Sequence, residues 1–115
     1  MSAIVYKILS RPVWTAACAA GVFCGAPVDR ADGYIHLSTA AQVRETAAKH
    51  FAGLADLLLV GFPSEALGAE LKWEPSRGGA LFPHLYGSLD PALAVEVHDL
   101  PLGADGRHRF PETLS

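Results

Sequence analysis

Cysteine is scarce in this chain of 115 residues: Cys18 and Cys24 are the only two. The five residues between them make neither a CxxC redox pair nor a zinc knuckle, so both are expected to be small buried thiols in a reducing compartment. Charge is sparse as well, at 18% of residues with a net −3, and the Lys and Arg residues are scattered. No basic stripe tracks along a helix or strand, so nucleic acid is not an expected partner. Long apolar runs are missing: none approaches the ~20 residues that cross a bilayer. The start, Met1-Ser2-Ala3-Ile4-Val5-Tyr6-Lys7, lacks the charged-then-apolar order of a secretory leader, which leaves the cytoplasm as the expected location. Also absent are a Gly-rich phosphate loop, a GxSxG elbow and an HExxH helix.

What is present is a hydrophobic half of the composition, enough for one domain over residues 1–115 to bury a core without staples. Ala3–Leu9 reads as a strand. Ser10 then caps a helix with Pro12 in its first turn and Gly21 as its stop, and Trp14 and Cys18 share one face. Residues 25–33 read as a turn-rich loop. Tyr34–Leu37 is a short strand, and the capping-box spacing of Thr39 and Gln42 predicts a helix starting there, with Val43, Ala47 and Phe51 facing inward. Leu57–Phe62 is apolar enough for a strand buried on both faces. A helical turn over Ser64–Leu67, a strand over Leu71–Glu74 and a turn over Pro75–Gly79 follow. Leu81–Tyr86 is extended or looped, and Pro83 argues against a central strand position. Ala92–His98 is a last strand, and Gly103–Ser115 a turn and short tail with room for one more pairing segment. Two main helices and about five strands, the later ones antiparallel, make an α+β or mixed α/β domain.

Chemistry-bearing residue types gather in three pieces. In Gly33–Thr39, alternation puts Tyr34, His36 and Ser38 on one face and Ile35 and Leu37 on the other. The polar trio then lines a cleft beside a helix N-terminus, a setting that suits an anion; alternatively Ser38 and Thr39 only cap the helix. In Leu71–Pro75, Trp73 and Glu74 point oppositely. Trp73 is either core or a stacking platform, and Glu74 a general base, a ribose acceptor or a surface carboxylate. In Phe82–Gly87, Pro83 and Gly87 stiffen the backbone around His84, a candidate acid or base, and Tyr86, a stacking ring or donor; the alternative is a loop closing the core. His36, Glu74 and His84 are thus the catalytic candidates, and Tyr34, Ser38, Thr39, Trp73 and Tyr86 the ligand-binding ones. No two of His36, Glu74 and His84 stand at helical ligand spacing, so no metal is expected. His50, His98 and His108 read as surface or helix-end residues.

The segments DGYIHLSTAAQ, LKWEPSRGGALFPHLYG and DGRHRFPE resemble a bacterial family, domain of unknown function 952, over nearly the whole chain. That family is grouped with the ADP-ribosyltransferase-like fold of toxins, poly-ADP-ribose polymerases and RNA 2′-phosphotransferases. The resemblance implies a split, mostly antiparallel β core with peripheral helices and a nicotinamide-nucleotide cleft, hence NAD or ADP-ribose as ligand. Ile35-His36-Leu37-Ser38 is similar to the His-Leu-Ser strand of the phosphotransferase branch, with Ser38 and Thr39 bracing the cleft. The first-strand Arg or His of that fold would lie near Tyr6-Lys7, where neither stands, and Glu96 is the only acidic residue on the expected last strand. Three functions compete: an NAD- or ADP-ribose-linked transferase or hydrolase, a nucleotide-binding module without turnover, and a scaffold. The scaffold requires His36 and His84 to be fully buried, internally bonded and without a cleft between them.

Overall fold

The computed structural model describes residues 3–76, 78–112 and 114. Its first strand, β1 (Ile4–Ser10), is buried along its middle and runs directly into α1 (Arg11–Ala20). Ser10 Oγ accepts from the Val13 N–H at 3.4 Å, Pro12 sits in the first turn, and Gly21 closes the helix at φ 78°. α1 turns Ala17 and part of Trp14 inward, and Trp14 meets the Phe62 ring edge-on at 6.3 Å. Cys18 lies about 100° round the helix from Ala17 and is exposed, as is Cys24, so the expected burial of the two thiols is not observed.

The segment expected to be a loop contains a short helix, α2 (Pro27–Asp32). Nothing apolar marks it; it is held by Asp29, whose Oδ2 accepts the Ala26 N–H at 2.8 Å, and it ends at Gly33, φ 88°. β2 (Ile35–His36) and β3 (Ser38–Thr39) follow, and then α3 (Val43–His50). The helix does not start at Thr39, because Thr39 pairs with Val5 of β1 as a strand residue. Its N–H donates to Gln42 Oε1 at 3.0 Å, so only the glutamine half of the expected box forms. Val43 and Ala47 are buried as the apolar stripe requires.

β4 (Leu57–Pro63) is buried except at its last residue. A 3₁₀ segment (Ser64–Glu70) leads to β5 (Leu71–Ser76) and β6 (Ala80–Leu85), a second one (Pro91–Leu93) to β7 (Glu96–Leu100). The last strand therefore begins later than expected, since Pro91 nucleates a turn where Asp90 caps the Ala92 N–H. Leu102 and His108 form the extra pairing of the tail.

Two sheets result, ordered β3-β1-β4-β7 and β2-β6-β5, with every named pair antiparallel. β6 is central in the smaller sheet despite Pro83. A residue's N and C=O point to the same side of a strand, and the Pro83 carbonyl accepts from Leu37 N–H at 3.1 Å on the β2 side. The missing N–H therefore faces the end of a two-residue strand and removes no bond to β5. The core lies on both faces of the larger sheet. Val5, Leu9, Val60 and Phe62 pack toward α1 and the smaller sheet, while Tyr6, Ile8 and Leu59 pack toward α3. No described helix is long and apolar enough to cross a membrane.

Gly61 shows how tightly β4 is flanked. A Cβ there would lie 2.9 Å from Ile4 Cγ2, 3.0 Å from Tyr6 Cε2 and 3.3 Å from Glu96 Cβ. Gly61→Ala should lower unfolding free energy by about 1–3 kcal/mol in a urea titration while leaving the native circular dichroism unchanged.

Candidate functional site

Between β2 and β3 the chain leaves one sheet and enters the other, with Leu37 as the only residue between. Ile35 and Leu37 are buried in the core, so alternation drives Tyr34, His36 and Ser38 to the opposite side, into the space where the sheets part. All three line an open crevice of about 500 Å³, together with Lys7, Asp32 and His84. A hollow of about 720 Å³ between α3 and the tail, lined by Arg44, Arg107 and Phe110, contains none of the residues anticipated for chemistry.

A buried ion pair underlies the crevice. Lys7 and Asp29 are 6% and 2% exposed, and Lys7 Nζ lies 2.9 Å from Asp29 Oδ2 and 3.1 Å from Oδ1. Nζ also donates to the His36 carbonyl at 3.0 Å. Asp29 Oδ1 accepts from the His36 backbone N–H at 3.1 Å and from ring Nδ1 at 2.6 Å. Burial pulls the Lys7 ammonium below its ordinary pKa and outweighs the pull of Asp29 in the other direction. Burial would raise Asp29, but Lys7, the His36 ring and the Ala26 and His36 N–H groups outweigh it, and its pKa lies below the ordinary carboxylate value. His36 Nε2 meets Asp32 Oδ2 at 2.9 Å, so both ring nitrogens of His36 are engaged by carboxylates.

The second histidine comes from register. His84 is the cross-strand partner of His36 on one side and of Lys72 on the other, and Glu74 is the partner of Phe82. Residues 36, 84 and 74 therefore share one sheet face. Glu74 Oε1 accepts from His84 Nδ1 at 2.8 Å and from Tyr86 Oη at 2.7 Å. Those two bonds, Tyr86's first, hold the Glu74 carboxyl below its usual pKa, and the same bond pushes the Tyr86 phenol up to about 12. Tyr34 knits the rings together, with centroids 4.2 Å from His84, 4.6 Å from His36 and 5.1 Å from Tyr86. Desolvation, then the charges of Asp32 and Glu74, raise the Tyr34 phenol.

Of the residues anticipated from sequence, Tyr34, His36, Glu74, His84 and Tyr86 are thus brought into one cluster, with Ser38 in the crevice wall, bonded to Thr46 Oγ1 at 2.9 Å. Trp73 is not brought in. It faces away from Glu74, opposite Pro83, and is 43% exposed, neither core nor part of the ring stack. Thr39 is taken up by strand pairing and lies outside the crevice lining. Sequence reasoning missed Lys7, Asp29 and Asp32. A lysine in the middle of an apolar strand was the available signal, since its alternation puts it on the same face as Val5 and Leu9. Among the described residues no group of three or more His, Cys, Asp or Glu is arranged to hold a metal.

Fold and site together define a two-sheet, antiparallel α/β protein with an aromatic, carboxylate-flanked crevice at the divergence of its sheets. The chain belongs to the family described as "Protein of unknown function (DUF952)", which it matches over residues 8–97. It is similar to the crystal structure of protein CC0527 from Caulobacter crescentus, with 54% identity, a TM-score of 0.89, and coverage of 92% of this chain and 93% of that one. The solution NMR structure of the same Caulobacter protein is similar at 55% identity and a TM-score of 0.81, over 90% of each chain. No curated protein matches.

Removing Lys7 takes the ammonium from a buried carboxylate and leaves it only the His36 ring and two backbone N–H groups. Lys7→Met should therefore cost about 3–5 kcal/mol in chemical denaturation. Asp29 also gives a pH dependence. Its folded pKa is depressed, so its contribution is present above the unfolded value of about 4 and is lost as pH falls through the folded value. The acid limb of a Tm-against-pH curve should be shallower in Asp29→Asn than in the parent protein.

Proposed function

We propose that the crevice binds an NAD- or ADP-ribose-type nucleotide, and that the protein is a transferase or hydrolase acting on it through His84. The observation that carries this reading is the state of the His84 ring. The residue is 4% exposed and lines the crevice, its Nδ1 is held by Glu74, and its Nε2 carries no hydrogen bond among the described residues. An imidazole oriented by a carboxylate, with its other nitrogen open to a cavity, is equipped to take a proton. In the reaction proposed, a nucleophile's oxygen bonds to the ribose anomeric carbon. The bond to nicotinamide breaks with its electron pair going to the nicotinamide nitrogen, and the nucleophile's proton passes to His84 Nε2. Glu74 orients that ring and stabilises its charged form. Tyr34 and Tyr86 supply the aromatic wall, Ser38 a hydroxyl, and His36 a ring locked between Asp29 and Asp32.

Two antiparallel sheets that part beside His36 suit an ADP-ribosyltransferase-like fold, and the family resemblance directs the ligand class; analogy of fold alone does not specify a reaction. A scaffold role fits less well, because His84 keeps an open nitrogen and His36 remains partly exposed on a crevice. A nucleotide-binding module without turnover is the second reading. It is favoured by the absence of the fold's first-strand Arg or His, where Tyr6 and Lys7 stand, and by Lys7 being committed to Asp29.

Titration with NAD, ADP-ribose and nicotinamide in turn should shift the NMR resonances of Tyr34, His36, His84 and Tyr86. Chromatography should then detect nicotinamide released from NAD, with His84→Ala slower by at least about a hundredfold. Saturable binding without product would leave the binding module; no shifts with any of the three at millimolar concentration would overturn the nucleotide assignment.

A further inference from the structure

Three acceptor atoms in and beside the crevice carry no hydrogen bond among the described residues. Asp32 lines it and uses only Oδ2, toward His36, so Oδ1 carries no hydrogen bond among the described residues. Glu74, directly behind His84, uses only Oε1, for His84 and Tyr86, and leaves Oε2 in the same condition. With Nδ1 donating to Glu74, His84 Nε2 is an acceptor in the neutral ring, and it is buried. A buried ring nitrogen without a partner points to an occupant that donates to it.

Charge points the same way. Asp32 and Glu74 flank the rings, with Lys72 beside Glu74 on the same sheet face but outside the lining, and the one lysine in the lining, Lys7, is matched by Asp29 and engaged by the His36 carbonyl. Tyr34 adds a flat aromatic surface at the centre of the cluster. Carboxylate oxygens, an imidazole acceptor and an aromatic ring together fit a planar cation rich in N–H groups, which can stack on the ring while donating at its edge.

We infer that the crevice recognises a guanidinium or amidinium group, carried by a small metabolite or by an arginine side chain of a peptide. The inference rests on the reading of this crevice as the functional site, but not on the nucleotide. It also differs from the anion preference that a helix N-terminus beside His36 suggests from sequence, because the lining carries the Asp32 carboxylate.

The test is an NMR titration of the full chain with methylguanidinium, against methylurea as its neutral near-isostere. Methylguanidinium should shift Tyr34, His36, His84 and Tyr86 saturably in the millimolar range, and methylurea should leave them in place. The double variant Asp32→Asn/Glu74→Gln, its fold checked by the dispersion of its spectrum, should bind methylguanidinium at least tenfold more weakly. Free arginine compared with a blocked Gly-Arg-Gly tripeptide separates the two sources, and tighter binding of either sustains the inference. Equal shifts by methylurea, unchanged affinity in the folded double variant, or no shifts with methylguanidinium would overturn it. NAD or ADP-ribose binding without methylguanidinium binding sinks this inference alone; the reverse sinks only the nucleotide reading.

Discussion

Asp29 is one side chain from a six-residue helix, yet it is bonded to β1 through Lys7, to the backbone of β2 through the His36 N–H, and to the His36 ring. Burying a carboxylate and an ammonium costs several kcal/mol for each, and an ion pair alone rarely offsets that. Here the cost is met by saturation: both Asp29 oxygens accept, and Lys7 has the His36 carbonyl as an additional acceptor. A hydrophobic pair of similar volume could fill the same space. It could not set the His36 ring or hold α2 against the crossing between the sheets, so the pair's role is placement more than stability.

The crevice follows from that placement. Since only Leu37 separates β2 from β3, the polar face of the segment opens toward the gap between the sheets while its apolar face anchors both. His84 enters by strand register, opposite His36, and Tyr34 fills the space between the two rings. The two histidines are then treated differently. His36 is engaged at both nitrogens, whereas His84 is engaged at one. Two rings of the same chemistry are thereby held in different hydrogen-bonding states.

Membership of the family places this arrangement beside the Caulobacter crescentus protein CC0527, similar at 54% identity over almost the full chain. The ring cluster is a more specific guide to function than the fold, because a fold hosts many chemistries and a site does not.

Local signals in the chain were enough for most elements. Ser10, Pro12 and Gly21 bound α1, the apolar run bounds β4, and alternation alone assigns Tyr34, His36 and Ser38 to one face and Ile35 and Leu37 to the core. Each of these depends on neighbours within a few residues, where backbone geometry is determined locally. Tertiary structure decided the rest. Whether Trp73 or Glu74 meets the ring cluster depends on how β5 pairs with β6, and whether Pro83 can sit centrally depends on which side its missing N–H faces. The meeting of Lys7 with Asp29 depends on α2, which has no apolar pattern to announce it and is held by the very contacts it makes. Alternation says that two side chains of a strand part company; only long-range pairing says which of them meets the site.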